Sequence, residues 1–272
     1  MARIILIFLL FLIPHNLFAS ELRIVSLAPN LTEIVYALGL GKNLVGDTPQ
    51  CDYPAQAKLI YKVGDYINPN IERILSVKPT YVLATIGNPH AVLNKLTLQG
   101  IKVIEVADPK TAAELPISIE KIATELGVQS QGKKISDQIS QSIKELQLHK
   151  VTNKKFLFVI QYNPIYSLSD DTWIGNLFTL AGYTNVVGKS RISYPIVAQE
   201  YLIKNIPDIV FTGADSHLSL EENKQIELVQ LEKIFGEKAA KKIQIIFLPK
   251  DILVRPGPRI IEGIHFIESL SH

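Results

Sequence analysis

The 272 residues are 47% hydrophobic and 20% charged, with a formal net charge of +2, a balance that excludes disordered, collagen-like and low-complexity chains. A sequence pI near 8.4 arises without blocks of Lys and Arg, so no nucleic-acid partner is expected. The single cysteine, Cys51, excludes a disulfide framework and any cysteine-rich metal site.

Met1-Ala2-Arg3, the apolar run from Ile4 to Pro14 and the small residues around Ala19 have the layout of a secretory leader. Cleavage is expected after Ala19, with Ser20 as the other candidate, which makes residues 1–19 a signal peptide. The run is shorter than the ~20 residues that span a bilayer, and no cysteine stands at the cleavage site to carry a lipid. The mature chain is therefore expected free in the periplasm or outside the cell.

Short β-branched runs then alternate with helical patterns, the signature of α/β units around parallel sheets. In chain order the pattern predicts a strand over 22–27, helices over 30–38 and 69–77, and a strand over 81–85. A helix over 90–98, a strand over 103–106 and a helix over 111–126 follow. The second half predicts a strand over 155–161, helices over 171–181 and 199–205, strands over 209–212 and 243–248, and a last helix over 256–269. Asn30 followed by Glu33 reads as a capping box for the first helix. Residues 129–150 are polar except for a narrow stripe of Ile135, Ile139, Ile143 and Leu146, which predicts a strut of roughly 33 Å between two lobes.

An internal repeat supports that division. Glu72 to Val82 and Glu200 to Val210 share one frame, a Glu, a short helix, a Pro seven residues on and then a strand, offset by 128 residues. Ile34 to Gly39 with Val45-Gly46, and Leu177 to Gly182 with Val187-Gly188, repeat a helix ended by Gly and a return into a strand. The expected fold is α/β, with two similar lobes of parallel sheet, 20–127 and 151–272, bridged by one long helix within 128–150.

Catalytic signatures are missing from the sequence: there is no Gly-x-Ser-x-Gly turn, His-Glu-x-x-His helix, phosphate loop or dinucleotide glycine fingerprint. Cys51 has no His near it and is expected to be a packed or ligand-lining thiol. The mature histidines, His90, His149, His217, His265 and His272, never fall at the i, i+3 or i, i+4 spacing that pairs imidazoles on one helix face, so a bare metal cargo is not expected. A single axial contact from His90 or a tyrosine to a metal already inside a macrocycle stays open. Loops after predicted strands, where parallel sheets place ligands, carry Tyr53, Tyr66, Asn88, Tyr162, Asn163, Tyr166, Trp173 and Tyr194. Their flat rings and hydroxyls suit a large planar ligand, and Arg255 is a candidate partner for a ligand carboxylate or amide.

Ile24 to Ile34, Asp52-Tyr53-Pro54, Val63 to Tyr66, Asn70 to Ile74, Lys78-Pro79, Gly100 to Val103, Tyr194-Pro195 and Gly257-Pro258-Arg259, in that order and spacing, resemble the periplasmic solute-binding proteins of ABC importers for cobalamin, haem or ferric siderophores. The resemblance covers essentially all of the mature chain and implies a monomeric, non-enzymatic carrier with no resident cofactor. It implies a metal chelate held between the lobes, with Tyr53, Tyr66, Trp173 and Tyr194 at family cleft positions beside the loop candidates Asn88, Tyr162 and Arg255, and delivery to a permease with its ATPase. Cys51 to Pro54 and Asn68 to Ile74 look most like cobalamin-binding members, whereas Leu83 to Leu93 has some haem-binder character. Where the best-known cobalamin binders set several tryptophans, this chain has Tyr66, Thr85 and Tyr194, its only Trp being Trp173. The implied ligand is thus a corrinoid first and haem or a ferric siderophore second; a secreted enzyme or sensor on the same scaffold is the reading from another class. Glu72 and Glu200 each begin a repeated helix, where the helix dipole favours an acid, and by resemblance they are the lobe-top carboxylates that meet permease arginines.

Overall fold

The structure is a computed structural model that describes residues 21–148 and 152–270. The expected leader at 1–19 and the end of the expected strut at 149–150 lie outside the described residues. The first half contributes β1 (Ile24–Ser26), α1 (Pro29–Ala37), β2 (Leu44–Gly46), α2 (Ile71–Ser76), β3 (Tyr81–Thr85), α3 (His90–Leu98), β4 (Lys102–Val106) and α4 (Glu114–Glu125). After α5 (Gln129–Leu148) come β5 (Lys155–Phe158), a hairpin of β6 (Gln161–Tyr162) and β7 (Ile165–Tyr166), α6 (Trp173–Leu180), β8 (Thr184–Asn185), α7 (Gln199–Lys204) and β9 (Ile209–Gly213). The chain continues through α8 (Leu220–Phe235), α9 (Glu237–Ala240), β10 (Gln244–Leu248), α10 (Lys250–Val254) and α11 (Ile260–Ser269).

Each half builds a four-stranded parallel sheet, in the orders β2-β1-β3-β4 and β8-β5-β9-β10. The order is the same in both, with the first strand of the half flanked by its second and third. The repeat has physical counterparts. Thr80 Oγ1 accepts from the backbone N–H of Arg23 at 2.9 Å, and Asp208, 128 residues on, accepts from that of Lys155 at 2.7 Å. Each side chain thereby anchors the start of the first strand of its sheet to the turn before the third. Gly39 and Gly182, the glycines that end the repeated helices, have φ of 80° and 97°, which a side chain would strain.

Helix α5 carries the expected stripe with a shift: Ile139, Ile143 and Leu146 are buried, and the face continues towards the N-terminus as Ser136 and Gly132. Ser136 Oγ donates to the Pro116 carbonyl at 2.9 Å, so this helix meets α4 of the first half closely, and it also packs on α6 and α11 of the second. One apolar core consequently runs from Ile24, Leu31 and Ile34 through Ile119, Ile139 and Ile143 to Phe156, Phe211 and Ile264. Two smaller clusters each stay within one half.

One local expectation is corrected, and one helix lies where none is predicted. The capping box at Asn30 and Glu33 does not form, because α1 starts one residue early at Pro29 with no side-chain cap; Glu33 is buried and turned to arginines instead. The capping box lies at Ser219 and Glu222, opening α8. That helix escapes sequence periodicity because its inward positions Asn223 and Glu227 are polar, whereas Leu220, Ile226 and Val229 are exposed.

Candidate functional site

Open parallel sheets bind ligands outside the carboxyl ends of their strands, where the strand order reverses. At those ends of β5, β9 and β10 lies a cavity of about 440 Å³. Phe158, Ile160, Leu168, Ile174, Leu248 and Val254 give it apolar walls, and Tyr162, Tyr194, Thr212 and Glu227 supply polar groups. A second cavity of about 270 Å³ shares Tyr194 and Val254 and is lined from both halves, by Asp108 to Lys110 after β4 and by Asp171 to Trp173 at the start of α6. The two together form a cleft at the junction of the lobes, and Tyr194 stands where they meet.

The polar groups of the cleft are held by identifiable contacts. Glu227 on α8 accepts hydrogen bonds from the Tyr162 hydroxyl and, at 3.2 Å, from Thr212 Oγ1. Burial raises the Glu227 pKa although both hydroxyls oppose the rise, and burial with the adjoining carboxylate holds the Tyr162 phenol far above its ordinary range. Tyr194 is half-exposed; burial and the nearby Asp108 push its phenol up, and burial raises Asp108 itself. Trp173 is 4% exposed in the floor of the cleft, where Thr172 Oγ1 caps its helix by accepting from the Gly175 N–H at 3.1 Å. On the first lobe the Tyr66 hydroxyl meets Thr85 Oγ1 at 2.8 Å, at the end of β3. The ring lies so close to the next loop that a Cβ on Gly87 would sit 1.9 Å from its oxygen.

Of the expected ligand residues, Tyr162, Trp173 and Tyr194 come together in the cleft. Asn88 is a correction: it is 2% exposed, and its amide is used up inside the first lobe, accepting from the Thr85 N–H at 2.8 Å and donating to the Tyr66 carbonyl at 2.8 Å. Its role is to hold the Tyr66 loop against β3. Arg255 is another correction, because its guanidinium is engaged by Asp52, Glu33 and Asp251 at 2.6, 3.4 and 3.3 Å. Tyr53 lies beneath the Arg259 guanidinium, 4.0 Å from ring centroid to Cζ, in the same inter-lobe cluster. Cys51 is buried between Thr32 and Thr48, whose hydroxyls lie 3.1 and 3.2 Å from its sulfur; burial raises its pKa, which keeps the thiol protonated and inert. His90 is an exposed residue at the start of α3, 3.8 Å from Glu105. Glu72 and Glu200 stand exposed in the first turns of α2 and α7.

Sequence reading missed Glu227, Thr212 and Asp108. The carboxylates Glu227, Asp108 and Asp171 face the two cavities against one cation, Lys110, among the described residues that line them. Among the described residues no group of three or more His, Cys, Asp or Glu is arranged to hold a metal ion, and no helix is long and apolar enough to cross a membrane.

The periplasmic binding protein family profile matches residues 24–252. A vitamin B12-binding protein of Photorhabdus laumondii subsp. laumondii is 32% identical over 251 residues, which cover 91% of this chain and 86% of the relative. The crystal structure of the periplasmic vitamin B12 binding protein BtuF of Vibrio cholerae superposes with a TM-score of 0.73 at 28% identity, covering 92% of this chain and 96% of the other. The periplasmic heme binding protein HutB of Vibrio cholerae has a TM-score of 0.78 at 24% identity, with 92% and 99% covered, and shares the fold.

Proposed function

The chain belongs to the periplasmic binding protein family, and from that premise we propose that it captures a corrinoid, cobalamin, between its lobes and hands it to an ABC import permease in the periplasm. The observation that carries the reading is the cleft itself, whose walls are apolar and whose lining has three carboxylates to one lysine. Cobalamin presents neutral peripheral amides around a large ring, whereas haem carries two propionates that such a lining opposes. The tyrosines offer flat area and hydroxyls at small entropic loss. Likeness to vitamin B12-binding relatives over nine-tenths of the chain supports the same ligand.

Glu72 and Glu200 are the proposed contacts to the permease. They occupy equivalent first turns, 128 residues apart, and exposed Ile196, Tyr201, Ile203 and Ile206 flank Glu200. Paired charges on a rigid body orient it on a two-fold partner and speed encounter.

Trp173 makes the ligand test direct, since the only tryptophan lies in the cleft floor. Titrating the purified protein with cyanocobalamin, haemin and ferric siderophores, and following its fluorescence, should show saturable quenching by cyanocobalamin. Tight haemin binding with a new Tyr- or His-ligated absorbance band, and no response to cyanocobalamin, would overturn the assignment.

A further inference from the structure

The larger cavity holds a feature that the two-lobe architecture does not require, a carboxylate nine-tenths buried among apolar walls. Glu227 is 8% exposed and lines the cavity with no cation beside it among the described lining residues. Each of its oxygens takes one hydroxyl, that of Tyr162 or that of Thr212. A carboxylate has about four acceptor positions, so about two remain for a ligand. Tyr162 and Thr212 spend their protons on Glu227, which leaves this wall of the pocket an acceptor without a donor of its own. The two hydroxyls also fix the carboxylate in place, so little side-chain freedom is lost when a ligand arrives.

We propose that Glu227 is the specificity-determining group of the cleft, accepting a hydrogen bond from a neutral amide N–H of the ligand and rejecting counterparts that bear a carboxylate at that position. Amide-bearing tetrapyrroles are the ligand class it fits, and this assignment of class rests on the cobalamin reading above. A ligand carboxylate entering the same place would meet a like charge where apolar walls exclude water, and one of the two would have to take up a proton or stay out. An amide N–H meets a fixed, charged acceptor, and such hydrogen bonds are the stronger kind. Tyr162 acts here as a positioning residue, holding Glu227 instead of reading the ligand.

The test compares dissociation constants, measured by calorimetry, for cyanocobalamin and for its monocarboxylic acids, in which one peripheral propionamide is hydrolysed. Wild-type protein should favour the amide over at least one acid isomer by about 10- to 100-fold, the usual worth of a hydrogen bond to a charged group. Glu227→Gln, nearly isosteric, should shrink that preference to about threefold or less. Tyr162→Phe keeps the carboxylate and should retain the preference; its loss there would transfer selection to the phenol and overturn the proposal. An unchanged ratio in folded Glu227→Gln would overturn it as well. If wild-type protein binds haemin and no cobalamin, the cobalamin reading fails separately. The carboxylate is then judged on haemin against its diamide, where a wild-type preference for the diacid refutes the role of Glu227 and a preference for the diamide upholds it.

Discussion

Removing a charge from one side or the other of the inter-lobe cluster should have unequal effects. Arg255 lies 2.6 Å from Asp52 and 3.4 Å from Glu33, Arg259 lies 3.6 Å from Glu33, and the side chains of Glu33, Arg255 and Arg259 are 2%, 16% and 15% exposed. At an effective dielectric constant of about 20, an opposite-charge pair 3.4 Å apart attracts by about 5 kcal/mol before desolvation is counted. Desolvation wins at Glu33: its carboxyl pKa stays above the ordinary value even though both guanidinium groups pull it down. Replacing Glu33 by Gln therefore removes a charge whose burial was already unfavourable, and should lower stability by about 1 kcal/mol or less. Arg255→Met is the opposite case, because it takes from Glu33 one of its two guanidinium partners, leaving Arg259 alone at 3.6 Å, and deprives Asp52 of its own. Breaking a buried pair from one side typically costs about 3–5 kcal/mol, and the lower end applies because Asp52, 42% exposed, can rehydrate. For a chain of this size about 3 kcal/mol is roughly 6–12 °C in Tm. The loss should shrink in acid. Hydrogen bonding to Arg255 lowers the Asp52 pKa, so the stability from that pairing is present above the unfolded value and disappears as pH falls through the folded one. Thermal unfolding followed by circular dichroism, near neutrality and in acid, checks both points. Equal losses in Glu33→Gln and Arg255→Met, or a larger one in Glu33→Gln, would refute the reasoning.

Asp47 is wholly buried, takes Lys62 Nζ at 2.7 Å on one oxygen, leaves the other without a partner, and is raised by burial to about 6. Because the folded pKa exceeds the unfolded one, its contribution to stability is present below about 4 and lost as pH rises through about 6; Asp47→Asn should remove that decline, worth about 3 kcal/mol, in melting curves taken across the window. Replacing Glu72 and Glu200 together by Ala should leave Tm and ligand affinity nearly unchanged, within about 0.5 kcal/mol, while cellular uptake of the ligand falls; normal uptake would remove the docking role. Solution scattering should show little change in radius of gyration on ligand addition, since α5 and one continuous core join the lobes, and a large contraction would contradict that.

Where one face of an element is apolar, its letters are enough to find it. β3 and α3 begin and end where the periodicity predicts, and α5 extends over the expected polar stretch. Where the buried face is itself polar, the period disappears. Asn223 points inward to tie the 215–219 loop, Glu227 points inward to the cleft, and α8 with its carboxylate stayed hidden for that one reason. Arg255 and Asn88 failed differently. Their polarity was visible, but whether a side chain is free depends on partners remote in sequence, Asp52 and Glu33 for the arginine and Tyr66 for the amide. A residue type announces a capacity for contact, and only the fold decides whether that capacity is already spent.

The repeat also relates the two ends of the transport task. Tyr66 and Tyr194 are 128 residues apart, the offset that relates Glu72 to Glu200, so each lobe carries a tyrosine six residues before its exposed acid. On the first lobe that tyrosine is clamped by Thr85 and the Gly87 loop; on the second it stands half-exposed over the cavity. In each case the intervening chain leads straight into the helix that bears the glutamate, α2 or α7, and that helix is fastened to the sheet by buried Ile74 or Leu202. The backbone after Tyr194 is itself pinned, the Pro195 carbonyl accepting from the Ser167 N–H and the Val197 N–H donating to the Ile165 carbonyl. The lobes therefore differ at the rings: the Tyr66 ring is already clamped, whereas a ligand against the half-exposed Tyr194 ring would load the chain that leads to Glu200. Sensing of the loaded state at the permease should accordingly fall on the second lobe. Glu200→Ala should reduce the preference of the permease for ligand-loaded over empty protein more than Glu72→Ala does, and equal effects of the two in a permease-binding assay would show that the lobes report the ligand alike.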